Sequence, residues 1–404
     1  MVELANPATV RHASIAEAAP KRRAKVSPDR PMMLGAVAFD RWRMLADRAI
    51  EPNGYYLPDW ALAINATARG RTGVSALCAW SDAEPGATLI GLMPAISLRR
   101  ATGIPLPALV SADPYGTLCT PLLDREIPDE AATRLMRQAR EAGAHALILR
   151  NVTLDGAVMK SFAAVLARCN LRLRLLQSHA RACLDATQDA DELLRDALGS
   201  KKLKELRRQR HRLAGHGDVG FDVARAPDAV AGALETFLGL EASGWKARRG
   251  TALAQDGGDA AFIRRAAVRL AEHGQCEIVT LRAGDTPVAA AVLLRHRDRA
   301  FYFKLGIDER FAKFSPGMQL TVDITRHLCA DAAITMADSM AAADHPMINP
   351  IWRGRLAIGD MLIPLRRNDP VVALIHAAMS IRKHVREPAR HAVHLIRRLR
   401  GKRK

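Results

Sequence analysis

The fold is decided by one stretch, GDTPVAAAVLLRHRDRAFYFKLGIDERFAKFSPGMQL, which runs from Gly284 to Leu320. Its apolar run Val288–Leu294 is too short to span a membrane and is rich in Val and Leu, which is typical of a buried strand. A polar turn follows at His296–Arg299, and aromatic and other residues then alternate over 300–306, which predicts a second strand. After a Ser-Pro-Gly turn the apolar residues adopt helical spacing. The stretch therefore predicts strand, turn, strand, turn and helix.

The Ser-Pro-Gly turn has the features of a phosphate site. The first N–H groups of a helix have no partner within the helix, and the helix dipole favours an anion beside them. Gly317 allows close backbone approach, and Pro316 removes a donor where fewer donors are needed. An ordinary helix start without a ligand is the alternative that this pattern leaves open.

This order of elements resembles the acyl-CoA-binding half of GNAT-type N-acyltransferases. It is most similar to the CelD/BcsL-like acetyltransferases associated with bacterial exopolysaccharide synthesis, which are related to the FemAB group. Three further stretches carry the resemblance: SKKLKELRRQRHRL (Ser200–Leu213), FLGLEASGWKARRGTAL (Phe237–Leu253) and ADHPMINPIWRGRLAIGD (Ala343–Asp360). The turn before the helix lacks the Arg/Gln-x-x-Gly-x-Gly/Ala form of ordinary GNAT enzymes.

The predicted fold class is α/β with mixed sheets, arranged as two tandem GNAT-like domains. Strands and helices alternate both before and after the basic segment near residue 200, and the resemblance to FemAB implies the same duplication. We expect a disordered basic tail at 1–30, an N-terminal GNAT-like domain at 31–195, and a C-terminal acyl-CoA-binding domain at 196–365. A basic amphipathic helical tail is expected at 366–404.

The composition limits the classes of function. The 404 residues carry a formal net charge of +18, so the surface should attract anions. Six cysteines without a C-x-x-C pair suit a reducing cytoplasm, and no metal-binding His cluster, Walker loop or Ser/His/Asp nucleophile elbow occurs. Hydrolase, NTPase and metalloenzyme functions are therefore not expected, and no metal is predicted. The expected location is cytoplasmic, with peripheral contact to the inner membrane through the tail left open.

The resemblance implies acetyl-CoA or another acyl-CoA as co-substrate. Backbone N–H groups of the apolar strand, near Val292 and Leu293, would meet the pantetheine arm and the thioester carbonyl. The diphosphate would lie on the turn and the helix start, which comprise Lys313, Phe314, Ser315, Pro316, Gly317, Met318 and Gln319.

Transfer of an acyl group to an amine requires a base that deprotonates the amine. Three residues are candidates. His345 titrates near neutral pH and follows Asp344, although it could equally be a structural histidine before a proline. Glu241 precedes a Gly-Trp turn, and a helix-end carboxylate without a role is its alternative. Asp338 lies at a predicted strand end, where an ordinary turn aspartate is as reasonable.

The acceptor site is predicted from flat and charged side chains. Trp245 and Trp352 could stack on a sugar or an adenine ring, although half-buried packing is the usual position of such residues. Lys246 could hold an anionic acceptor or the CoA 3′-phosphate, with a solvated basic loop as the alternative, and Asp344 is also expected to contact the substrate. Tyr115 belongs to the loop SADPYGT, which is expected to form one wall of the cleft.

The sequence therefore predicts an acyl-CoA-dependent N-acyltransferase acting on an amino-bearing small molecule or saccharide of exopolysaccharide or cell-envelope biosynthesis. A second interpretation is FemAB-like aminoacyl transfer from charged tRNA, because Lys and Arg fill seven of the twelve positions 201–212. Nucleic acid is not expected as a partner otherwise. A third interpretation is a non-catalytic accessory protein of polysaccharide secretion, attached to an anionic membrane surface by the C-terminal tail.

Overall fold

The computed structural model describes residues 31–81, 87–244 and 248–384. The helices are α1 (Phe39–Arg48), α2 (Pro58–Thr67), α3 (Leu98–Thr102), α4 (Pro128–Glu141), α5 (Ala157–Arg168), α6 (Ala190–Leu213), α7 (Pro227–Ser243), α8 (Gly257–Ala271), α9 (Pro316–Cys329) and α10 (370–384). The strands are β1 (Met32–Met33), β2 (Ser75–Trp80), β3 (Leu89–Ser97), β4 (Ala108–Ser111), β5 (Leu122–Leu123), β6 (Ala146–Thr153), β7 (Arg174–Asp185), β8 (Val219–Ala224), β9 (Cys276–Ala283), β10 (Thr286–His296), β11 (Arg299–Ile307), β12 (Met336–Asp338) and β13 (Gly354–Pro364).

All of these strands belong to one mixed sheet, in which the strand order of the first half mirrors that of the second half. Apart from β5, which pairs with β3, the order is β1-β2-β3-β4-β6-β13-β7-β12-β11-β10-β9-β8. Each half contains one parallel contact, β4 with β6 and β11 with β12, and antiparallel contacts elsewhere. The helices repeat as well, since α1 and α2 precede β2 as α7 and α8 precede β9. The tandem duplication predicted from the sequence is confirmed.

The two halves exchange one strand each. β7 follows β6 in the chain but pairs with β12 of the second half, and β13 follows β12 but pairs with β6 of the first half. The exchanged strands also pair with each other, antiparallel, from Gly354–Cys183 to Leu362–Arg174. The boundary predicted at residue 195 lies within α6, and the hydrogen-bonded sheet includes strands from both sides of it.

The hydrophobic core also contains residues from both halves. One cluster combines α1 and α2 of the first half with α7 and α8 of the second half, and it includes the fully buried rings of Trp42, Trp60, Phe237 and Phe262. Separate clusters lie under α6 and α9, and under α4 and α5. α10 covers a smaller apolar patch of the first half through Val372 and Ile375.

The decisive stretch folds as predicted, with one difference. β10 and β11 form the expected strand pair, and α9 begins at Pro316. His296, which the sequence placed in a polar turn, is instead the last residue of β10 and is 1% exposed, because its ring bonds to the first half of the chain. Burial lowers the pKa of His296 to about 4.

The basic segment before residue 213 is helical as expected. α6 bends at Gly199, whose φ of 69° and ψ of 163° lie outside the helical region, so its second part begins at Ser200. Leu203, Leu206 and Leu213 are buried on one side. The tails predicted at 1–30 and beyond residue 384 lie outside the described residues, and no helix among the described residues is long and apolar enough to span a membrane.

Candidate functional site

The parallel strands β11 and β12 of the second half separate after a short contact. β11 and β12 pair only from Arg299–Met336 to Phe301–Asp338. β11 then continues to Ile307 with an extra residue, Phe303, opposite β10, where the register changes from Val292–Lys304 to Leu293–Tyr302. The bulge and the parting of the strands create a site at the junction of the two halves.

Tyr55 of the first half lies at this junction. Its ring makes edge contacts with Trp60 and Phe301 and a tilted contact with Phe303, at centroid distances of 5.5, 5.8 and 6.2 Å. Gly116 permits this position, because a Cβ atom there would stand 2.5 Å from the Tyr55 ring. The hydroxyl is buried and has no hydrogen-bond partner in the part of the chain that the structure describes. An unpaired buried hydroxyl of this kind calls for a ligand, a water molecule or a catalytic role.

The charged groups that act on the Tyr55 hydroxyl form a buried ion pair. Arg181 of β7 and Asp338 of β12 are 1% and 2% exposed and lie 3.2 Å apart. Arg181 Nη2 donates to the carbonyl of Thr117 at 2.6 Å, and Asp338 Oδ1 accepts the N–H of Met340 at 2.8 Å. Burial, with a smaller contribution from the Asp338 charge, raises the pKa of Tyr55 well above its usual value. The hydroxyl therefore keeps its proton near neutral pH and can serve as a donor.

A second buried ion pair lies beyond the bulge. Glu241, at the end of α7, accepts from Lys304 Nζ at 3.0 Å and from the N–H of Leu253 at 2.9 Å. Lys304 Nζ also lies 5.8 Å from the centroid of the Tyr115 ring, within cation–π range. Because both Glu241 oxygens accept hydrogen bonds, the arrangement holds Lys304 in place.

Tyr115 joins the two halves of the chain. It has a positive φ of 59°, which is unusual for a residue with a side chain. Its hydroxyl donates to Asp259 at 2.6 Å, and the Arg71 guanidinium lies 4.2 Å from its ring centroid. Burial, followed by the Asp259 bond, raises the pKa of Tyr115. The ring is thus fixed beside Lys304.

The predicted phosphate turn has few open donors. Ser315 adopts a left-handed φ of 53°, and its carbonyl accepts the N–H groups of both Met318 and Gln319 at 3.1 Å. The Gln319 side chain donates to the carbonyl of Phe314 at 2.7 Å. Gly317 is buried, and a Cβ atom there would stand 3.3 Å from Met347 Sδ.

Lys313 is the exposed cation of this turn. It shares a cavity of about 250 Å³ with His216 and Arg310, while Pro316 is buried beside Gly317. An anion can therefore meet side-chain charges on the outer side of the turn more readily than backbone N–H groups inside it.

One of the sequence predictions for this site is wrong, that of Trp352, whereas the pantetheine contact near Val292 and Leu293 stays a prediction. Val292 and Leu293 are fully buried in β10, which pairs with β9 and with β11, and the register change towards β11 lies between these two residues. The strand with a partly unpaired edge is β11. Trp352 does not line a cleft, because it is 1% exposed and donates through Nε1 to Thr325 Oγ1 at 2.9 Å beneath α9.

The remaining predicted residues lie as follows. Asp344 is exposed, and His345 Nδ1 accepts the N–H groups of Met347 and Ile348 at 3.4 Å, in a loop that passes beside Gly317. Trp245 and Lys246 lie outside the described residues. The structure therefore brings together Tyr115, Glu241 and Asp338, and it places His345 in the neighbouring loop.

Sequence reasoning missed Tyr55, Arg181 and Lys304. Tyr55 belongs to the turn-rich segment PNGYYLPDW, which has no pattern of a functional site, and Arg181 and Lys304 lie in strands without a distinctive motif. A buried arginine is recognisable only once its aspartate partner is known.

A basic surface lies along the second part of α6. Five cations on it are exposed: Lys201, Lys204, Arg207, Arg208 and Arg212. Two others are paired, Lys202 with Glu205 and Arg210 with Asp323. The helix packs against the segment that ends at Phe314, where His216 contacts the rings of Phe311 and Phe314. His216, which follows this helix, lines the cavity that holds Lys313.

Comparison with known proteins identifies similar domains and similar folds. Residues 200–345 match the family model described as an acetyltransferase (GNAT) domain. The fold matches a crystal structure of FemX with a TM-score of 0.54 and 13% identity, covering 84% of this chain and 98% of that one. It also matches the C-terminal domain of a protein assigned as lysylphosphatidylglycerol synthetase from Agrobacterium fabrum, with a TM-score of 0.51, 15% identity, and coverage of 84% and 95%. No curated protein matches the sequence.

Residues 200–345 are thus similar to a GNAT acetyltransferase domain, and the described chain shares the overall fold of these solved structures. At these identities the structures establish the fold alone. Among the described residues no group of three or more His, Cys, Asp or Glu side chains could hold a metal ion.

Proposed function

We propose that the protein is an acyl-CoA-dependent N-acyltransferase, with acetyl-CoA as the first donor to test, and that transfer takes place where β11 parts from β12. The observation that carries this proposal is the Tyr55 hydroxyl, which is buried, protonated and without a partner among the described residues. The match of residues 200–345 to an acetyltransferase domain supports the choice of donor.

The chemistry needs a donor for the carbonyl oxygen and a base for the amine. As the nitrogen attacks the thioester carbon, negative charge develops on the oxygen, and the Tyr55 O–H donates a hydrogen bond to it. The amine loses a proton as the C–N bond forms, and the thiolate leaves as the C–S bond breaks. We assign the base to Asp338, because among the three predicted carboxylate and histidine candidates its charge acts on Tyr55.

The acceptor that we propose is an amine on a saccharide or a lipid-linked saccharide of the cell envelope. The CelD/BcsL-like resemblance motivates this choice. Glucosamine is therefore the first acceptor to test, and a simple alkylamine is its comparison.

The test measures thiol release from acetyl-CoA in the presence of glucosamine, for the wild type and two variants. Tyr55→Phe should lower kcat/KM by about 10²-fold, the usual effect of removing one oxyanion donor. The control is Tyr302→Phe, because the Tyr302 hydroxyl bonds to Thr321 in the core at 3.3 Å and should not affect turnover. Full turnover by Tyr55→Phe would refute the assignment.

A second donor, aminoacyl-tRNA, is supported by two observations. The five exposed cations of α6 offer a long anion-binding surface, and the start of α9 has few open N–H groups for a diphosphate. The FemAB resemblance motivates the same donor, which would transfer its aminoacyl group to the same kind of amine.

The two donors can be separated by charge reversal. Lys204→Glu, Arg207→Glu and Arg208→Glu together should abolish retention of tRNA on a filter, while leaving acetyl-CoA affinity measured by titration calorimetry unchanged. Arg137→Glu with Arg140→Glu on the exposed side of α4 is the matched control. If wild type binds acetyl-CoA but not tRNA, the second donor is excluded.

A membrane-surface role for the C-terminal region remains a proposal of its own. Leu374 and Ile381 of α10 are 55% and 64% exposed and lie seven residues apart, on one side of the helix. Flotation with anionic liposomes tests it. Leu374→Ser with Ile381→Ser should reduce flotation if α10 contacts lipid, whereas equal flotation would exclude α10.

A further inference from the structure

The first half has a cavity at the position that corresponds to the proposed transfer site. β4 and β6 are parallel only from Ala108–Ala146 to Val110–Ile148, as β11 and β12 are for three pairs in the second half. Just beyond this contact, a cavity of about 250 Å³ is enclosed between the sheet and α10. Its lining residues are Ala101, Thr102, Arg150, Asn151, Leu176, Gln177, Asp360, Met379, Arg382 and Lys383.

The correspondence extends to the backbone. In the second half, Met340 follows the last paired residue, Asp338, by two positions and has a φ of 53°. In the first half, Arg150 follows Ile148 by two positions, and the next residue, Asn151, has a φ of 47°. Each half thus passes through the left-handed region shortly after its parallel contact, two residues later in the second half and three residues later in the first, and this conformation is often found at functional sites.

The charges in the cavity favour an anion. Three cations line it, Arg150, Arg382 and Lys383, against the single carboxyl group of Asp360. Arg150 Nη2 donates to the carbonyl of Ser111 at 3.2 Å, but its buried Nε has no partner in the part of the chain that the structure describes. A guanidinium with an unused donor matches the geometry of a carboxylate or a phosphate.

Two hydrogen bonds orient the carboxyl group of Asp360, which also lines the cavity. Its Oδ1 accepts the N–H of Asn151 at 2.8 Å, and its Oδ2 accepts from the Gln177 amide at 2.6 Å. Burial raises the pKa of Asp360. The neutral lining residues Ala101, Leu176 and Met379 leave room for a short carbon chain.

We propose that this cavity is a second ligand site, separate from the transfer site, which binds a small organic anion through Arg150 with support from Lys383 and Arg382. The volume of about 250 Å³ is near the lower end for ligand pockets, so the ligand is a compact carboxylate or phosphate rather than a nucleotide cofactor. The site does not depend on the identity of the acyl donor.

The test uses the full chain and titration calorimetry with two probes, succinate and inorganic phosphate. One saturable site per chain is expected, and the tighter probe identifies the ligand chemistry. Arg150→Gln should weaken binding by about tenfold or more, and Lys383→Gln by about threefold, since each removes a charge-assisted contact. Arg172→Gln, an exposed arginine outside the cavity, should bind as the wild type does.

Three results would overturn the proposal. These are no saturation by either probe below about 10 mM, equal affinity in Arg150→Gln and wild type, or equal weakening by Arg172→Gln. Because Lys383 lies on the outer helix, Lys383→Gln should fold normally even if Arg150→Gln does not. Tyr55→Phe should retain full binding, which separates failure of this site from failure of the transfer site.

Discussion

His296 connects two distant parts of the chain through both ring nitrogens. Nδ1 accepts the N–H of Asn53 at 2.9 Å, and Nε2 lies 3.0 Å from the carbonyl of Ala46, to which it donates. This pattern requires the neutral ring, and burial lowers its pKa from 6.5 to about 4. The unfolded chain therefore takes up a proton between these pH values while the folded chain does not.

Acidification should destabilise the protein through this residue. As the pH falls from 6.5 towards 4, the free energy of unfolding should drop by about 3 kcal/mol from His296 alone, because the unfolded state binds the extra proton. Urea titrations at several pH values should show a shallower pH dependence in His296→Gln than in the wild type. His273→Gln, at an exposed position, is the control and should follow the wild type.

The Arg181–Asp338 pair should show strong coupling in a double-mutant cycle. Asp338→Asn leaves a buried guanidinium without its counter-charge and should cost about 3–5 kcal/mol of unfolding free energy. Adding Arg181→Met should restore part of that loss. Glu235→Gln, which breaks the exposed pair with Arg264, should cost about 1 kcal/mol or less. Additive losses in the double variant would show that the pair is not coupled.

At the level of elements, α6 depends on one residue for its direction. Gly199 adopts a φ and ψ that side chains rarely accept, and the basic part of the helix starts directly after it. The start of this part is visible in the sequence, because Ser200 is a good N-cap residue and the leucines follow at helical spacing. The sequence did not predict the helical turns before Gly199 that complete α6.

Two glycine-to-alanine substitutions should have opposite effects. Gly199→Ala should lower the unfolding free energy by about 1–3 kcal/mol, because of its backbone conformation rather than any clash. Gly232→Ala, in the exposed interior of α7, should raise it by about 0.5–1 kcal/mol. Thermal unfolding of both variants provides the measurement, and a stabilised Gly199→Ala would contradict the bend.

At the level of the molecule, the exchanged strands make the halves interdependent. Residues 1–195 lack β13, and residues 196–404 lack β7, so each fragment exposes unpaired strand edges. Each fragment alone should be unfolded or aggregated, and co-expression should give a soluble complex with the circular dichroism of the whole chain. A fragment ending at residue 365 retains the full sheet and is the control. Cooperative folding of 196–404 alone would contradict this prediction.

The sequence predicted strands and the duplication better than it predicted the site. Val288–Leu294 is apolar throughout, so its burial follows from composition, and the alternation over 300–306 marks its partner. The pairing of β13 with β6 depends instead on which edges remain open after the rest has folded. Tyr55 and His296 acquire their environments from residues far away in the chain, Gly116 and Ala46, so local patterns could not reveal their roles.

The position of β13 also determines when the sheet can be completed during translation. β6 and β7 are synthesised long before Gly354–Pro364, the strand that fills the space between them. At about 5–20 residues per second, translation leaves that space empty for on the order of ten seconds. During that interval the nascent first half presents two open strand edges, which is the kind of surface that chaperones bind.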